Sequence, residues 1–224
     1  MRLQLTAAAL LVIGTAQASV LIPGGPAQFP DMFSASREVT LLALTSGTFA
    51  TPIPSANGTF VDAVYRNTSG TLDFLYQFNV ATTSPNVVAV TTASDFTGFT
   101  TDVGFMHDGS LLPSNPSPGF VDGNTDPVFV ARPVAASVGF FFGPNAANEI
   151  HPGDSSFVLV VSTNATNFVA RPDVVGISGG GPTTNVSGFD PVAAATVPEP
   201  SVLLLTGVGL AGLVAWRRKT RLLG

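Results

Sequence analysis

Two histidines, His107 and His151, are the only side chains in this 224-residue chain that ordinarily titrate near neutral pH. A serine hydrolase would set one of them between a serine and an orienting carboxylate, with Asp102, Asp108 or Asp154 as the orienter. Both histidines stand in turn-like text, His107-Asp108-Gly109 and His151-Pro152-Gly153, and read as solvated turn residues. As metal ligands they are 44 positions apart, without an H-E-x-x-H helix or other spaced partners. The complete lack of cysteine removes a thiol nucleophile, a thiolate metal site and a disulfide scaffold.

The acidic loop Asp122-Gly123-Asn124-Thr125-Asp126 is the one candidate metal centre, because oxygen ligands at loop positions 1, 3 and 5 begin several calcium sites. It departs from an EF-hand: Pro127 stands where the sixth-position glycine belongs, and Pro133 where a bidentate glutamate belongs. An Asx-rich turn needs no metal, so Asp122, Asn124 and Asp126 are either a plain turn or a calcium loop completed by a distant carboxylate. No other cofactor is expected. The Asn-x-Ser/Thr triplets at Asn57, Asn67, Asn164 and Asn185 read as ordinary turn text.

Elements able to hold such loops follow from composition. Polar helix formers are scarce, with three glutamates and a single lysine, so a surface helix would have no wet face to show. Short apolar runs rich in Phe and β-branched residues recur between Gly, Pro, Asn, Asp and Ser clusters, the all-β pattern. Residues 58–80 give the clearest case. Leu72, Phe74, Tyr76, Phe78 and Val80 alternate with Asp73, Gln77 and Asn79, which predicts one buried and one wetter face. Asn67-Thr68-Ser69-Gly70 reads as the hairpin turn before them. Further strands are expected over 37–44, 87–92, 97–105, 128–132, 136–142 and 156–163, with a weak last strand over 186–192. The continuous apolar runs at 140–142 and 157–161 predict central strands covered on both faces. The whole is expected to be an antiparallel β-sandwich, a barrel being the alternative. Between residues 19 and 196 lie four arginines and thirteen acids, a net charge of −9. Such a surface repels phosphate backbones and excludes nucleic acid as a partner.

Neither end belongs to that fold. Arg2, the apolar run Leu10 to Ile13 and the small-x-small Ala16-Gln17-Ala18 read as a secretory signal, cut by signal peptidase between Ala18 and Ser19. At the other end Pro198-Glu199-Pro200 precedes an uncharged stretch, 201–216, and then Arg217, Arg218, Lys219 and Arg221. That stretch would rise about 24 Å as a helix. This is near a span once arginines snorkel, and the basic cluster places the C-terminus in the cytoplasm. The expected plan is a signal peptide (1–18), an extended arm (19–36), the sandwich (37–190), a linker with the tripeptide (191–200), a transmembrane helix (201–216) and a basic tail (217–224).

This tripartite tail resembles the PEP-CTERM sorting signal of Gram-negative bacteria. The resemblance implies an exosortase as processing partner, transient membrane anchoring through the C-terminal helix, and release to the cell surface or beyond, commonly in an exopolysaccharide setting. The stretch 150–168 also looks like one shared by many PEP-CTERM ectodomains, in which a Pro-Gly-x-Ser turn enters a central strand ending in Thr-Asn-Ala. The expectation is therefore a non-enzymatic surface or matrix protein, structural or adhesive, in contact with exopolysaccharide. The alternative is a secreted carbohydrate-binding module or polysaccharide-acting enzyme. Sugars usually stack on Trp or Tyr, and residues 19–196 hold no Trp and only Tyr65 and Tyr76, both at hairpin core positions.

Overall fold

The computed structural model describes residues 20–52, 55–93, 95–133, 137–143, 148–179 and 181–193. The expected signal peptide, the Ala18-Ser19 junction, Pro198-Glu199-Pro200, the apolar segment 201–216 and the basic tail lie outside the described residues. Among the described residues no helix is long and apolar enough to cross a membrane. Their strands are β1 (Asp31–Met32), β2 (Glu38–Ala50), β3 (Asn57–Asn67), β4 (Leu72–Val80), β5 (Val90–Ala93), β6 (Thr101–Met106), β7 (Phe129–Ala131), β8 (Val138–Phe141), β9 (Val158–Thr163), β10 (Asn167–Ser178) and β11 (Thr184–Val192). Single 3-10 turns cover Ala35–Arg37 and Gly109–Leu111.

The strands form two sheets, ordered β1-β6-β9-β4-β3-β2 and β11-β10-β5-β8-β7. Both keep free edges, so the molecule is a sandwich and not the closed ring of a barrel. Pairing is antiparallel throughout except between β1 and β6, which makes the larger sheet mixed. Between the sheets, Leu72, Phe74, Tyr76 and Phe78 of β4 meet Val138, Phe140, Val175 and Ile177, all buried. Each such side chain contributes roughly 1.5–3 kcal/mol by leaving water.

The larger sheet is covered on its other face too. Val61, Ala63, Tyr65, Leu75, Val158 and Val160 form a second apolar layer, roofed by Ala35, Leu112 and Phe120. This corrects the wet face expected for β4. Asp73 and Gln77 are fully buried, because the chain around 33–37 and 107–121 folds over them. Gln77 holds that roof, its amide donating to the carbonyl oxygens of Val121 (2.8 Å) and Ser156 (2.9 Å) and accepting from the Val121 N–H (2.9 Å).

Of the two strands expected to be central and doubly covered, β9 is so throughout. β8 lies inside the smaller sheet, of which, among the described residues, the inner face packs into the buried core. Phe140 turns inward while half-buried Phe141 stacks on Phe129, with ring centroids 4.5 Å apart. A side-chain turn ends β9: Thr163 Oγ1 accepts from the Ala165 N–H (3.1 Å) and donates to the Leu72 carbonyl (2.8 Å).

The arm is stitched to both sheets. Val20 bridges to Asp102 of β6, Gln28 to Val130 of β7, and β1 then returns to pair with β6. Buried Arg132 secures the same end, its guanidinium donating to the carbonyl oxygens of Phe99 (3.0 Å) and Phe96 and to Thr101 Oγ1 (3.1 Å). Besides β1, inside the expected arm, one strand, β10, was not expected from the sequence. Pro172 and Asp173, the latter at φ 59°, sit where its register shifts between Arg171 and Val175. The bulge breaks the alternation that would mark a strand. The chain from Ala193 on is a separate unit, of which only Ala193 is described.

Candidate functional site

Asp73 turns away from the inter-sheet core because Leu72 and Phe74 occupy the inward positions of β4. Ser162, its register partner on β9, donates to Asp73 Oδ1 at 2.7 Å, and Asn67 Nδ2 donates to the same oxygen at 2.6 Å. Arg37 Nε lies 3.0 Å from Asp73 Oδ2 and 3.6 Å from Glu38 Oε1, and Arg37 Nη2 donates to Ser162 Oγ at 2.8 Å. The guanidinium carbon also sits 4.0 Å over the Phe33 ring. Neither oxygen of Glu38 meets an N–H or hydroxyl donor, and its carboxyl hydrogen-bonds the Asp73 side chain. Burial first, and the charge of Asp73 next, push its carboxyl up to about 9, so Glu38 is a neutral acid at neutral pH.

Two further groups face this network. Asp102, opposite Ser162 on β6, is pushed up to about 6 by burial; Arg37 draws it down while Asp31 and Asp73 push it further up. Tyr65, opposite Asp73 on β3, is pushed up to about 12 by burial and then by Glu38. Two neighbouring carboxyls, one of them protonated, and a serine hydroxyl are the parts of an acid–base site. Here the Glu38 and Asp73 side chains are wholly buried, while Arg37, at 25%, and Asp102 are part exposed. The arrangement ties β2, β4 and β9 together.

A second acid pair lies between the sheets. Asp62 of β3 is fully buried; its Oδ2 accepts from the Phe189 N–H at 3.1 Å, and its Oδ1 has no partner. Burial raises its pKa well above the carboxylate range, partly offset by the Phe189 bond, with Asp190 raising it further. Asp190 accepts from the Asp95 N–H at 2.7 Å and pairs with Arg171 at 3.7 Å; burial raises its pKa too. Above this pair a cavity of about 290 Å³ opens along the seam of β2, β10 and β11, lined by Thr45, Arg171, Gly188 and Phe189 among others. Another, of about 380 Å³, lies across the ends of β2, β3 and β4 over Thr48, Thr59 and Asn79, with no charged residue in its lining.

The acidic loop does not present its oxygens to one point. Asp122 Oδ1 accepts from the backbone N–H (3.1 Å) and hydroxyl (2.7 Å) of Ser110, bonds that lower its pKa. Asn124 turns to the opposite turn: its Oδ1 accepts from the Ser155 N–H (3.0 Å) and its Nδ2 donates to Asp154 Oδ1 (2.6 Å). Asp126 is exposed. Among the described residues no group of three or more His, Asp or Glu side chains is placed to hold a metal ion. His107 is exposed and stacks on Phe157 at 3.7 Å between centroids, and His151 is half-buried in the turn entering β9. Arg37, Glu38, Asp73, Asp62 and Asp190 escaped the sequence reading. The signal that could have found them is an acid set inside an apolar alternation, as Asp62 and Asp73 are.

Residues 196–219 match the PEP-CTERM protein-sorting motif. No curated protein and no solved structure matches the chain. The matched stretch contains Pro198-Glu199-Pro200, the apolar segment and Arg217, Arg218 and Lys219. A chain bearing that motif is one marked for export, with a membrane-anchored sorting signal that an exosortase recognises.

Proposed function

We propose that this chain is an exported, exosortase-processed protein of the cell surface or extracellular matrix, with a structural or adhesive role linked to exopolysaccharide, and that it is not an enzyme. The observation that carries the reading is the sorting motif at 196–219, which follows in sequence a sandwich whose last strand ends at Val192. The burial of Glu38, Asp73 and Asp62 supports it, since the groups with the chemistry of a catalytic pair serve the scaffold. Secretion by a cleaved signal and removal of the tail would free the sandwich from the inner membrane.

The test replaces Pro198, Glu199 and Pro200 by alanine in cells that have an exosortase. An uncleaved, inner-membrane-held chain is expected, and an unchanged mature C-terminal mass would remove the reading. A reporter after Leu222 should be active only in the cytoplasm, and one at Gly180 only outside. The second reading, a carbohydrate-binding module, draws on the uncharged cavity over Thr48, Thr59 and Asn79. Exopolysaccharide pull-down with wild type and with Thr59→Val plus Asn79→Leu separates the two: the module reading requires capture that the double change abolishes.

A further inference from the structure

The strand directions give the sandwich two unlike ends. At its lower end β2, β4 and β6 start and β3, β9 and β11 finish. The described chain both enters and leaves there: Val20 bridges Asp102 beside the start of β6, and Val192 pairs with Asn167 just past the turn from β9. All four arginines between residues 19 and 196 lie toward this end. Arg37 precedes β2, Arg66 donates to the Gly70 carbonyl in the β3–β4 turn (2.9 Å), and Arg132 holds the loop before β6. Arg171 pairs with Asp190, which accepts from the Asp95 N–H. Of the acids here, Asp73 and Asp190 face Arg37 and Arg171, Glu38 is protonated, and Asp95 and Asp102 offset Arg66 and Arg132. The lower end is thus near neutral. The upper end holds Asp108, Asp122, Asp126, Glu149 and Asp154 and no arginine, more than half of the net −9. Asp108 follows β6, Asp122 accepts from Ser110, Asn124 donates to Asp154, and Glu149 adjoins the bridge of Ile150 to Val88. Apolar side chains are exposed at the lower end as well. Leu21 is buried and its N–H donates to the Thr101 carbonyl at 2.8 Å, which leaves Val20 and Ile22 outside, 51% and 64% exposed.

We propose that, while the tail is uncut, the lower end of the sandwich rests on the anionic lipid surface of the membrane, with Val20 and Ile22 in its interfacial layer and the acidic end turned away. The inference rests on the reading of 201–216 as a membrane span. Chain length brings the two within reach. Only residues 193–200 separate Val192 from the apolar stretch, at most about 29 Å of extended chain. Charge decides which end faces the lipid. Anionic headgroups repel the five acids of the upper end and leave the near-neutral lower end free to approach. The apolar pair favours lipid over a protein partner. Two neighbouring aliphatic side chains on an arm need a shaped pocket in a protein, whereas the headgroup boundary takes them in without one.

The test uses the full-length chain in phosphatidylcholine vesicles that contain phosphatidylglycerol and a headgroup-linked quencher. The chain has no cysteine of its own, so Ile22→Cys or, in the exposed turn above β4, Thr83→Cys can carry a single polarity-sensitive dye. The dye at Ile22 is expected to shift to the blue and to be quenched, and the dye at Thr83 to do neither. Adding Val20→Asp to the Ile22-labelled chain puts a charge into the contact and should lower the ratio of docked to undocked chain about tenfold, with the melting temperature unchanged. Vesicles without phosphatidylglycerol should quench the Ile22 dye less. In chains that alkaline carbonate leaves in the membrane, an Ile22 dye quenched no more than that at Thr83, or one indifferent to Val20→Asp, would overturn the docking while the anchor stands. Extraction of the chain by carbonate would remove the anchor, and the docking with it.

Discussion

The backbone N–H of Phe189 donates to Oδ2 of Asp62 across 3.1 Å, tying the edge strand of the smaller sheet to β3, next to the edge of the larger one. Gly188 makes room for that approach, since a Cβ there would overlap Asp62 Oδ2 and press on Val174 and Val175. Gly188→Ala is therefore expected to destabilise by about 1–3 kcal/mol, as overpacking does. For a domain of this size that is roughly 2–4 °C per kcal/mol in melting temperature. Asp62→Asn retains an acceptor for Phe189 and matches the neutral acid, so it should cost less than Asp62→Ala. Thermal melts of the three variants check the order; an unperturbed Gly188→Ala would contradict the close approach.

Stability should fall as pH rises. Glu38 (about 9) and Asp102 (about 6) hold protons in the folded protein that the unfolded chain releases near pH 4 to 4.5, and Asp62 and Asp190 are shifted the same way. Where the native state binds more protons, stability decreases with pH, by at most about 1.4 kcal/mol per pH unit for each proton. Their contribution is fully present below pH 4 and is lost progressively up to about pH 9. The melting temperature at pH 5 should exceed that at pH 8.5, and Glu38→Gln should flatten the upper part of the profile. A flat wild-type profile would sink the account of Glu38.

Arg37 is the cation set against Asp73. Arg37→Ala leaves a buried carboxylate unpaired and should cost about 3–5 kcal/mol. Asp73→Asn combined with it should recover part of that loss, because the neutral amide no longer needs the guanidinium. Denaturant unfolding of the two single variants and the double one measures the coupling; simple additivity would mean that the pair does not act together.

The β3–β4 hairpin was legible because its turn chemistry is local. Gly70 takes φ 83°, and Asn67 Oδ1 accepts from the N–H groups of Ser69 (3.0 Å) and Thr71 (3.2 Å). Alternation also gave the inward set Leu72, Phe74, Tyr76 and Phe78. It could not tell that the outward set would be roofed, since Asp73 and Gln77 look the same on a wet face as in a second layer. Asp73 is held there by Arg37 and Ser162, 36 and 89 positions away in the sequence, and Gln77 by Val121 and Ser156, 44 and 79 away. β10 was hidden by Pro172 and Asp173, which are turn signals inside a strand that a bulge accommodates. The candidate network was missed for the same reason, being assembled from four strands.

The acidic loop gives the last prediction. Asn124 Oδ1 already accepts from the Ser155 N–H and Thr125 Oγ1, and Asp122 Oδ1 from two donors on Ser110. A cation at positions 122, 124 and 126 would have to displace those donors. Calcium should therefore act diffusely, by screening the net −9, and magnesium should do nearly as well. A specific site would instead stabilise as RT ln(1 + [L]/Kd), about 2.7 kcal/mol at a hundredfold excess over Kd. Melts with Ca²⁺, Mg²⁺ and a chelator are run on wild type and on the Asp122→Ala, Asp126→Ala double variant. Equal responses to both ions, surviving the double change, are expected. Asn124→Ala, which removes the bonds to Ser155 and Asp154, should lower the melting temperature in every buffer. A calcium-only shift abolished by the double variant would prove the loop a metal site after all.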